Sequence, residues 1–117
     1  MPRFVILRHE MPAGHARDSH FDLMLEAGSV LRTWSHSEMP AEDRIVRLES
    51  LADHRLAYLD YEGPVSDNRG QVSRVDEGMY AVVEETDFLL RYRLSGKLLN
   101  GLLFLIRDEK TPTSWTA

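Results

Sequence analysis

The sequence contains no cysteine among its 117 residues. A chain without thiols has no disulfide bridges, no thiolate metal cage and no cysteine nucleophile. It also lacks any apolar run near the roughly 18 residues of a membrane-spanning helix, and its N-terminal apolar run is too short for a signal peptide. These absences favour a cytoplasmic protein with no membrane partner.

Two further absences concern catalytic motifs. No glycine-rich phosphate loop of the Walker type and no Gly-x-Ser-x-Gly elbow occurs, so neither nucleoside triphosphate hydrolysis nor serine-based acyl transfer has support. Acidic residues outnumber basic ones by 19 to 14, giving a formal charge of −5. This balance argues against a protein that coats nucleic acid non-specifically, but it permits recognition of a nucleic-acid end by a few arginines.

Strand-like segments separated by turn residues recur along nearly the whole chain. With 43% hydrophobic residues, they predict one all-β domain, a small antiparallel sandwich or barrel of seven or eight short strands. Residues 20–34 have the pattern of a hairpin that turns at Ala27-Gly28-Ser29. A second hairpin is predicted around Asp76-Glu77, and Asn100-Gly101 is predicted to form the turn before a last strand, Leu102 to Arg107.

The segment from His20 to Glu26 carries the clearest chemical signal. In a strand, residues i and i+2 project from the same face, so His20 and Asp22 are expected side by side. An imidazole and a carboxylate so placed suit manganese, iron or zinc, with His9 or His15 as a third ligand. The alternative from the same pattern is an ordinary solvated strand face.

A second pair of polar aromatic residues lies later in the chain. His54 and Tyr58 are four residues apart and would meet only if the segment between them turned helically. Both can donate hydrogen bonds to a phosphate, and histidine can also act as an acid. The alternative is a half-buried tyrosine beside a surface histidine.

Several segments occur in an order that resembles a known family, the 3′-phosphoesterase domain of bacterial DNA ligase D. They are His9 after an apolar strand, His20-Phe21-Asp22-Leu23-Met24-Leu25-Glu26, Val30-Leu31-Arg32-Thr33-Trp34, Asp53-His54-Arg55-Leu56-Ala57-Tyr58 and Leu94-Ser95-Gly96-Lys97-Leu98. The resemblance spans roughly residues 3–108. It implies a small β-barrel with a crescent-shaped active-site groove over residues 1–108, followed by a polar tail over residues 109–117.

The resemblance also implies a function in DNA end repair by non-homologous end joining. Members of the family use manganese to trim 3′-phosphates and 3′-terminal ribonucleosides from nucleic-acid ends, so a DNA or DNA/RNA primer–template is the expected substrate. A repair ligase or polymerase acting in trans is the expected protein partner. By motif position the metal ligands are His9, His20 and Asp22, and the catalytic pair is His54 and Tyr58. The candidates for phosphate binding are Arg44, Arg17 and Arg69.

Two residues depart from the family pattern. Met24 replaces an arginine, and Glu38 stands where a lysine is expected. A thioether cannot neutralise a phosphate oxygen as a guanidinium does. A second hypothesis is therefore a catalytically weakened relative that binds metal or nucleic-acid ends without turnover, and a third is a β-barrel interaction module without metal. If the missing arginine alone limits activity, Met24→Arg is expected to raise it.

Overall fold

The computed structural model describes residues 2–15, 18–40, 46–65, 69–108 and 114–116. The described residues form strands joined by turns, with a single 3₁₀ turn, η1, after the fourth strand. The elements are β1 (Arg3–Glu10), β2 (His20–Ala27), β3 (Val30–His36), β4 (Arg47–Arg55), η1 (Leu56–Leu59), β5 (Gly63–Pro64), β6 (Gln71–Glu85), β7 (Leu89–Gly96), β8 (Asn100–Arg107) and β9 (Ser114–Thr116).

All the strands belong to one antiparallel sheet with the order β1-β2-β3-β4-β9-β8-β7-β6-β5. Strand β1 also pairs with β6, so the sheet curls back on its first strand. The short strand β9 bridges β4 and β8. The predicted all-β barrel is therefore confirmed. Among the described residues, no helix is long and apolar enough to cross a membrane.

Strands β1 and β2 are buried on both faces. On one face, Phe4 and Ile6 join a large barrel core that also contains Leu23, Trp34 and Tyr92. On the other face a smaller group, the outer apolar cluster, lies beneath η1. The cluster consists of Val5, Leu7, Met24, Leu31, Leu59 and Val72. Successive residues of a strand alternate between the two faces. Every second side chain at the end of β1 and at the start of β2 therefore lies on the same outer face as this cluster.

The hairpin predicted over residues 20–34 is confirmed. Strand β2 ends at Ala27 and β3 begins at Val30, so two residues form the turn. Gly28 adopts a φ of +64°, in the left-handed region where glycine is favoured because it has no Cβ.

The hairpin predicted around Asp76-Glu77 is wrong. Strand β6 runs without interruption through these residues, with β1 paired to its first part and β7 to its second. Gly78 lies within β6, where its role is close packing. A Cβ there would lie 2.0 Å from the carbonyl oxygen of Ser95 on the neighbouring strand.

The turn predicted at Asn100-Gly101 is also wrong, because both residues already belong to β8. The chain turns three residues earlier, over residues 97–99. Its conformation is held by the buried carboxylate of Asp76, which accepts backbone hydrogen bonds at 2.8–3.1 Å from residues 97, 98 and 99. A side chain from a distant strand thus decides where this hairpin turns.

Two other boundaries differ from the sequence-based expectation. The sequence from Ile45 to Leu48 has a strand-like pattern; Ile45 lies outside the described residues, and β4 runs from Arg47 to Arg55. Within the segment predicted as a polar tail, residues 114–116 form β9.

Candidate metal centre

The candidate metal ligands lie at one end of the β1–β2 ladder. His9 pairs directly opposite His20, and Asp22 pairs opposite Leu7. His20 and Asp22 are two residues apart on β2, so they share the outer face of the sheet with His9. The regular antiparallel register therefore brings together two imidazoles and one carboxylate.

The three side chains converge on a small volume. The imidazole rings of His9 and His20 have centroids 4.9 Å apart. Nδ1 of His9 is 3.7 Å from one carboxylate oxygen of Asp22, and Nε2 of His20 is 3.4 Å from the other. One ligand atom from each residue lies within 4.8 Å of the other two. Such a group can hold a single divalent ion.

In each imidazole, the nitrogen that points away from Asp22 donates to a backbone carbonyl oxygen. This hydrogen bond fixes the tautomer of the ring. Nδ1–H of His20 donates to the carbonyl oxygen of Asp18 at 2.9 Å. Nε2–H of His9 donates to the carbonyl oxygen of Arg69 at 2.6 Å. A neutral imidazole carries one proton, so in the neutral form of both rings the nitrogen that faces Asp22 is the unprotonated one, the form in which histidine binds a metal. Backbone carbonyls orient metal-binding histidines in this way in many proteins.

The electrostatics of the site favour a cation. Nε2 of His20 and Oδ1 of Asp22 are buried and have no hydrogen-bond partner among the described residues. Burial by itself raises the pKa of Asp22, but hydrogen bonds and positive charge from His20 and His9, which these rings supply when both of their nitrogens carry protons, outweigh it and lower the pKa to about 2. In the neutral form of the two rings the carboxylate faces two unprotonated nitrogens, and a divalent metal ion can take the place of the protons. The donor set therefore fits a metal ion.

The alternative ligand and the predicted arginines are placed differently. His15 is exposed on the loop after β1, outside the group formed by His9, His20 and Asp22. Arg69 reaches the site through its backbone carbonyl, which accepts from His9. Arg17 and Arg44 lie outside the described residues, so their role in phosphate binding stays a prediction.

The predicted catalytic pair forms a second group. His54 lies near the end of β4, opposite Leu31 of β3, and Tyr58 lies on η1. The turn of η1 brings their rings together edge to face, with centroids 5.7 Å apart. Nδ1–H of His54 donates to the carbonyl oxygen of Ala52 at 2.9 Å. The segment is helical only over Leu56–Leu59, so the two rings meet although His54 still belongs to the strand β4.

Met24 belongs to the outer apolar cluster and is 1% exposed. It follows Asp22 by two residues on β2 and therefore lies on the same face as the metal ligands. The position where the resemblance implies a phosphate-binding arginine is thus a packed apolar site. Tyr58 packs against the same cluster, so the cluster borders both groups of polar residues.

Sequence reasoning missed His36, which ends β3. Its ring is buried at 3% exposure and stacks on Phe21 with centroids 5.6 Å apart. Together with His20, it lines a cavity of about 390 Å³ at the end of β2, β3 and β4. A single histidine after a tryptophan carries no periodic signal, so only the folded chain could reveal this position.

The fold and the site agree with a known family. The sequence profile of the DNA ligase D 3′-phosphoesterase domain matches residues 13–107. The match covers His20, Asp22, His54 and Tyr58, and it begins after β1, so His9 is assigned by geometry alone. No individual curated protein gives a significant match to the chain. Since the profile covers most of the sequence, the chain belongs to the DNA ligase D 3′-phosphoesterase domain family.

Proposed function

We propose that this protein is a divalent-metal-dependent phosphoesterase that removes 3′-phosphates and 3′-terminal ribonucleosides from nucleic-acid ends in DNA end repair. Manganese is the proposed metal, since two imidazoles and one carboxylate suit a borderline divalent ion. DNA or DNA/RNA primer–template ends are the proposed substrate, and a repair ligase or polymerase is the proposed partner in trans.

One observation carries this proposal: three ligand atoms, two of them on buried residues, converge in a chain that belongs to the family. His9, His20 and Asp22 would hold the ion. When bound, a divalent ion acts as a Lewis acid that neutralises negative charge on a phosphoryl group. Three protein ligands leave further coordination positions for a phosphate oxygen.

The chain's own residues would then position the phosphate. Asp22 stays ionised at neutral pH because its pKa is about 2. His54 donates Nδ1–H to Ala52, so its other nitrogen, Nε2, is the one available to a phosphate oxygen. That nitrogen can donate to a phosphate oxygen only in the imidazolium form, whereas the hydroxyl of Tyr58 is itself a donor. Preorganised donors of this kind stabilise charge that develops on a phosphoryl group.

A second candidate function is a relative with weakened catalysis that binds metal or nucleic-acid ends. The position of Met24 favours it, because a buried thioether in an apolar cluster supplies no charge for a phosphate. One preorganised donor is commonly worth about 3–4 kcal/mol of transition-state stabilisation. Metal affinity without turnover would be its signature.

The test measures release of inorganic phosphate from a primer–template with a 3′-phosphate, with and without manganese. We expect manganese-dependent release by the wild type, a loss of at least about 100-fold in His20→Ala, and no change in His15→Ala. The His15→Ala control is matched because it removes an exposed imidazole outside the metal group.

Binding and turnover are measured on the same samples. Manganese binding without phosphate release would favour the weakened relative over the phosphoesterase. Release that persists in His20→Ala would contradict the metal assignment. No manganese binding at all would leave the interaction module as the best hypothesis.

A further inference from the structure

We propose that the pocket beside Tyr58 is a binding site for a nucleobase, and that the ring of Tyr61 is one of its walls. The base would belong to the terminal nucleotide whose 3′-phosphate is contacted by the predicted catalytic pair, His54 and Tyr58. The inference rests on the proposed function, because that phosphate brings the nucleotide to the pocket. It adds the part of the substrate that neither the metal nor the catalytic pair contacts.

The pocket shares Tyr58 with the catalytic pair. Its wall consists of Arg55, Ala57, Tyr58, Tyr61, Pro64 and Val65, and Tyr58, Tyr61 and Val65 pack against the outer apolar cluster. The volume of the pocket is about 240 Å³, below the roughly 300–1,000 Å³ of sites that enclose whole small molecules. Its size therefore suits one planar group, such as a single base, rather than a complete nucleotide.

Two perpendicular tyrosine rings form a corner of this pocket. The rings of Tyr58 and Tyr61 have centroids 5.8 Å apart and an angle of 89° between their planes. Both residues are partly exposed, so packing against the cluster does not cover their rings completely. A flat base that stacks on one of the rings meets the edge of the other, and both arrangements are favourable for aromatic groups.

The ring of Tyr61 is held in place before any ligand binds. Its hydroxyl donates to the carbonyl oxygen of Pro64, a second residue of the wall, so the ring lies along that wall. The N–H of Val65 donates to the carbonyl oxygen of Gly70 at 2.8 Å, which ties down the chain next to Pro64. A wall that is already ordered loses little conformational freedom on binding.

The charge of the pocket suits a base that is attached to phosphates. The described residues that line it include no carboxylate, and Arg55 supplies an exposed guanidinium at the end of β4. A guanidinium can lie flat on an aromatic group or pair with a phosphate. Proteins that bind single strands without sequence preference stack the bases on aromatic side chains in positively charged grooves. We therefore expect the pocket to prefer any base over none, with little difference among the four bases.

The test compares two oligodeoxynucleotides that differ only at the 3′-terminal nucleotide, which carries adenine in one and is abasic in the other. Both end in a 3′-phosphonate, in which a methylene group replaces the scissile ester oxygen, so that no turnover occurs. With the manganese-loaded protein, we expect calorimetry to show at least about fivefold tighter binding of the oligonucleotide with the terminal base. This ratio is the lower end of the effect of stacking one base on an aromatic side chain, about fivefold or more.

Variants of Tyr61 assign the preference to this pocket. In Tyr61→Leu, which keeps an apolar side chain but removes the ring, we expect the ratio to fall to near one. Tyr61→Phe keeps the ring and is expected to keep most of the preference. Phe88→Leu is the matched control, because it removes an aromatic ring that is 49% exposed and lies outside the pocket, and it should leave the ratio unchanged. A preference for the base that persists in Tyr61→Leu would overturn the proposal.

A measurement on the wild type guards against a variant that does not fold. With zinc as a diamagnetic metal, NMR records nuclear Overhauser effects between the protons of the terminal adenine and the ring protons of Tyr58 and Tyr61. We expect such effects in the complex, together with an upfield shift of the adenine protons caused by the tyrosine ring current. A bound oligonucleotide whose adenine shows neither signal would contradict the assignment of the pocket.

The outcomes separate this inference from the proposed function. If both oligonucleotides bind equally well to the metal-loaded protein, the nucleobase site is refuted and the phosphoesterase proposal stands. If neither oligonucleotide binds, both are refuted. If the preference for adenine is present and depends on Tyr61, the nucleobase site is supported, even in a protein that releases no phosphate from a hydrolysable 3′-phosphate.

Discussion

His9 and His20 lie directly opposite each other in the β1–β2 ladder, with their ring centroids 4.9 Å apart. Because the ladder fixes both backbones and two backbone carbonyls fix both rings, the two nitrogens that face Asp22 are oriented without a metal. Removing one ring should therefore weaken metal binding far more than it disturbs the sheet.

The first prediction concerns metal affinity. We expect His9→Ala and His20→Ala each to weaken manganese binding by at least about 100-fold. Mutation of a residue that only hydrogen-bonds to a metal ligand already lowers metal affinity about 10- to 100-fold, and loss of the ligand itself should have at least the larger effect. Isothermal titration calorimetry gives the affinity, and circular dichroism checks that the sheet persists. Retention of full affinity in either variant would show that the ion binds elsewhere.

The second prediction concerns Met24. In Met24→Arg a guanidinium would enter the outer apolar cluster, where the native side chain is 1% exposed. We expect the free energy of unfolding to fall by about 3–5 kcal/mol, the usual effect of an uncompensated buried charge. Urea denaturation measures it, and Met24→Leu, which conserves volume, is expected to cost less than about 1.5 kcal/mol. A stable Met24→Arg with raised phosphoesterase activity would instead mean that the arginine reaches the metal-bound phosphate.

The third prediction concerns the turn over residues 97–99. Asp76 accepts the backbone N–H groups of Lys97, Leu98 and Leu99, and it is 1% exposed. Asp76→Ala leaves these donors without their acceptor, and each buried unsatisfied group costs about 1–3 kcal/mol. We expect a loss of at least about 3 kcal/mol in urea denaturation and faster hydrogen exchange at the three amides. The exposed Asp87 provides the control, since Asp87→Asn is expected to change neither quantity.

The fourth prediction concerns pH. Burial lowers the pKa of His36 below its ordinary value of 6.5, against the opposing effect of the Glu38 carbonyl. Below pH 6.5 the unfolded chain binds a proton that the folded chain excludes, so the free energy of unfolding decreases as the pH falls. The slope due to this residue is at most about 1.4 kcal/mol per pH unit.

Urea denaturation at pH 7.5 and pH 5.5 measures this effect. We expect the wild type to lose more stability than His36→Phe over this interval. All other histidines are common to both proteins, so the difference isolates His36. Equal losses in the two proteins would mean that His36 becomes protonated without disturbing the fold.

Much of the fold could be predicted from local patterns. Alternation along residues 20–26, followed by the turn residues Ala27-Gly28-Ser29, was sufficient to place the first hairpin. The errors arose where distant groups decide the local structure. Asn100-Gly101 has strong turn propensity, but Asp76 stabilises the turn at residues 97–99 from another strand. Asp76-Glu77 was expected to form a turn, but β6 continues through these residues and Gly78 allows it to approach Ser95 of β7.

The candidate site, like the fold, could be predicted where local geometry determines it and not where distant strands do. The i, i+2 spacing predicted that His20 and Asp22 would be neighbours, because strand geometry alone requires it. The choice of His9 over His15 depends on the register between β1 and β2, which spacing does not determine. The cavity at His36 depends on three strands ending together, and no local pattern encodes that.

The continuous strand β6 has a consequence for how the molecule opens. Its first part is paired with β1, which carries His9, and its second part with β7. If one part of the barrel unfolded separately from the rest, strand β6 would have to break its pairing with both β1 and β7. We therefore expect the barrel to unfold as one cooperative unit. A destabilising substitution in the turn over residues 97–99 would then also increase the fraction of molecules in which the strands that carry the metal ligands are unfolded. Conversely, a bound metal ion would slow hydrogen exchange across the whole sheet.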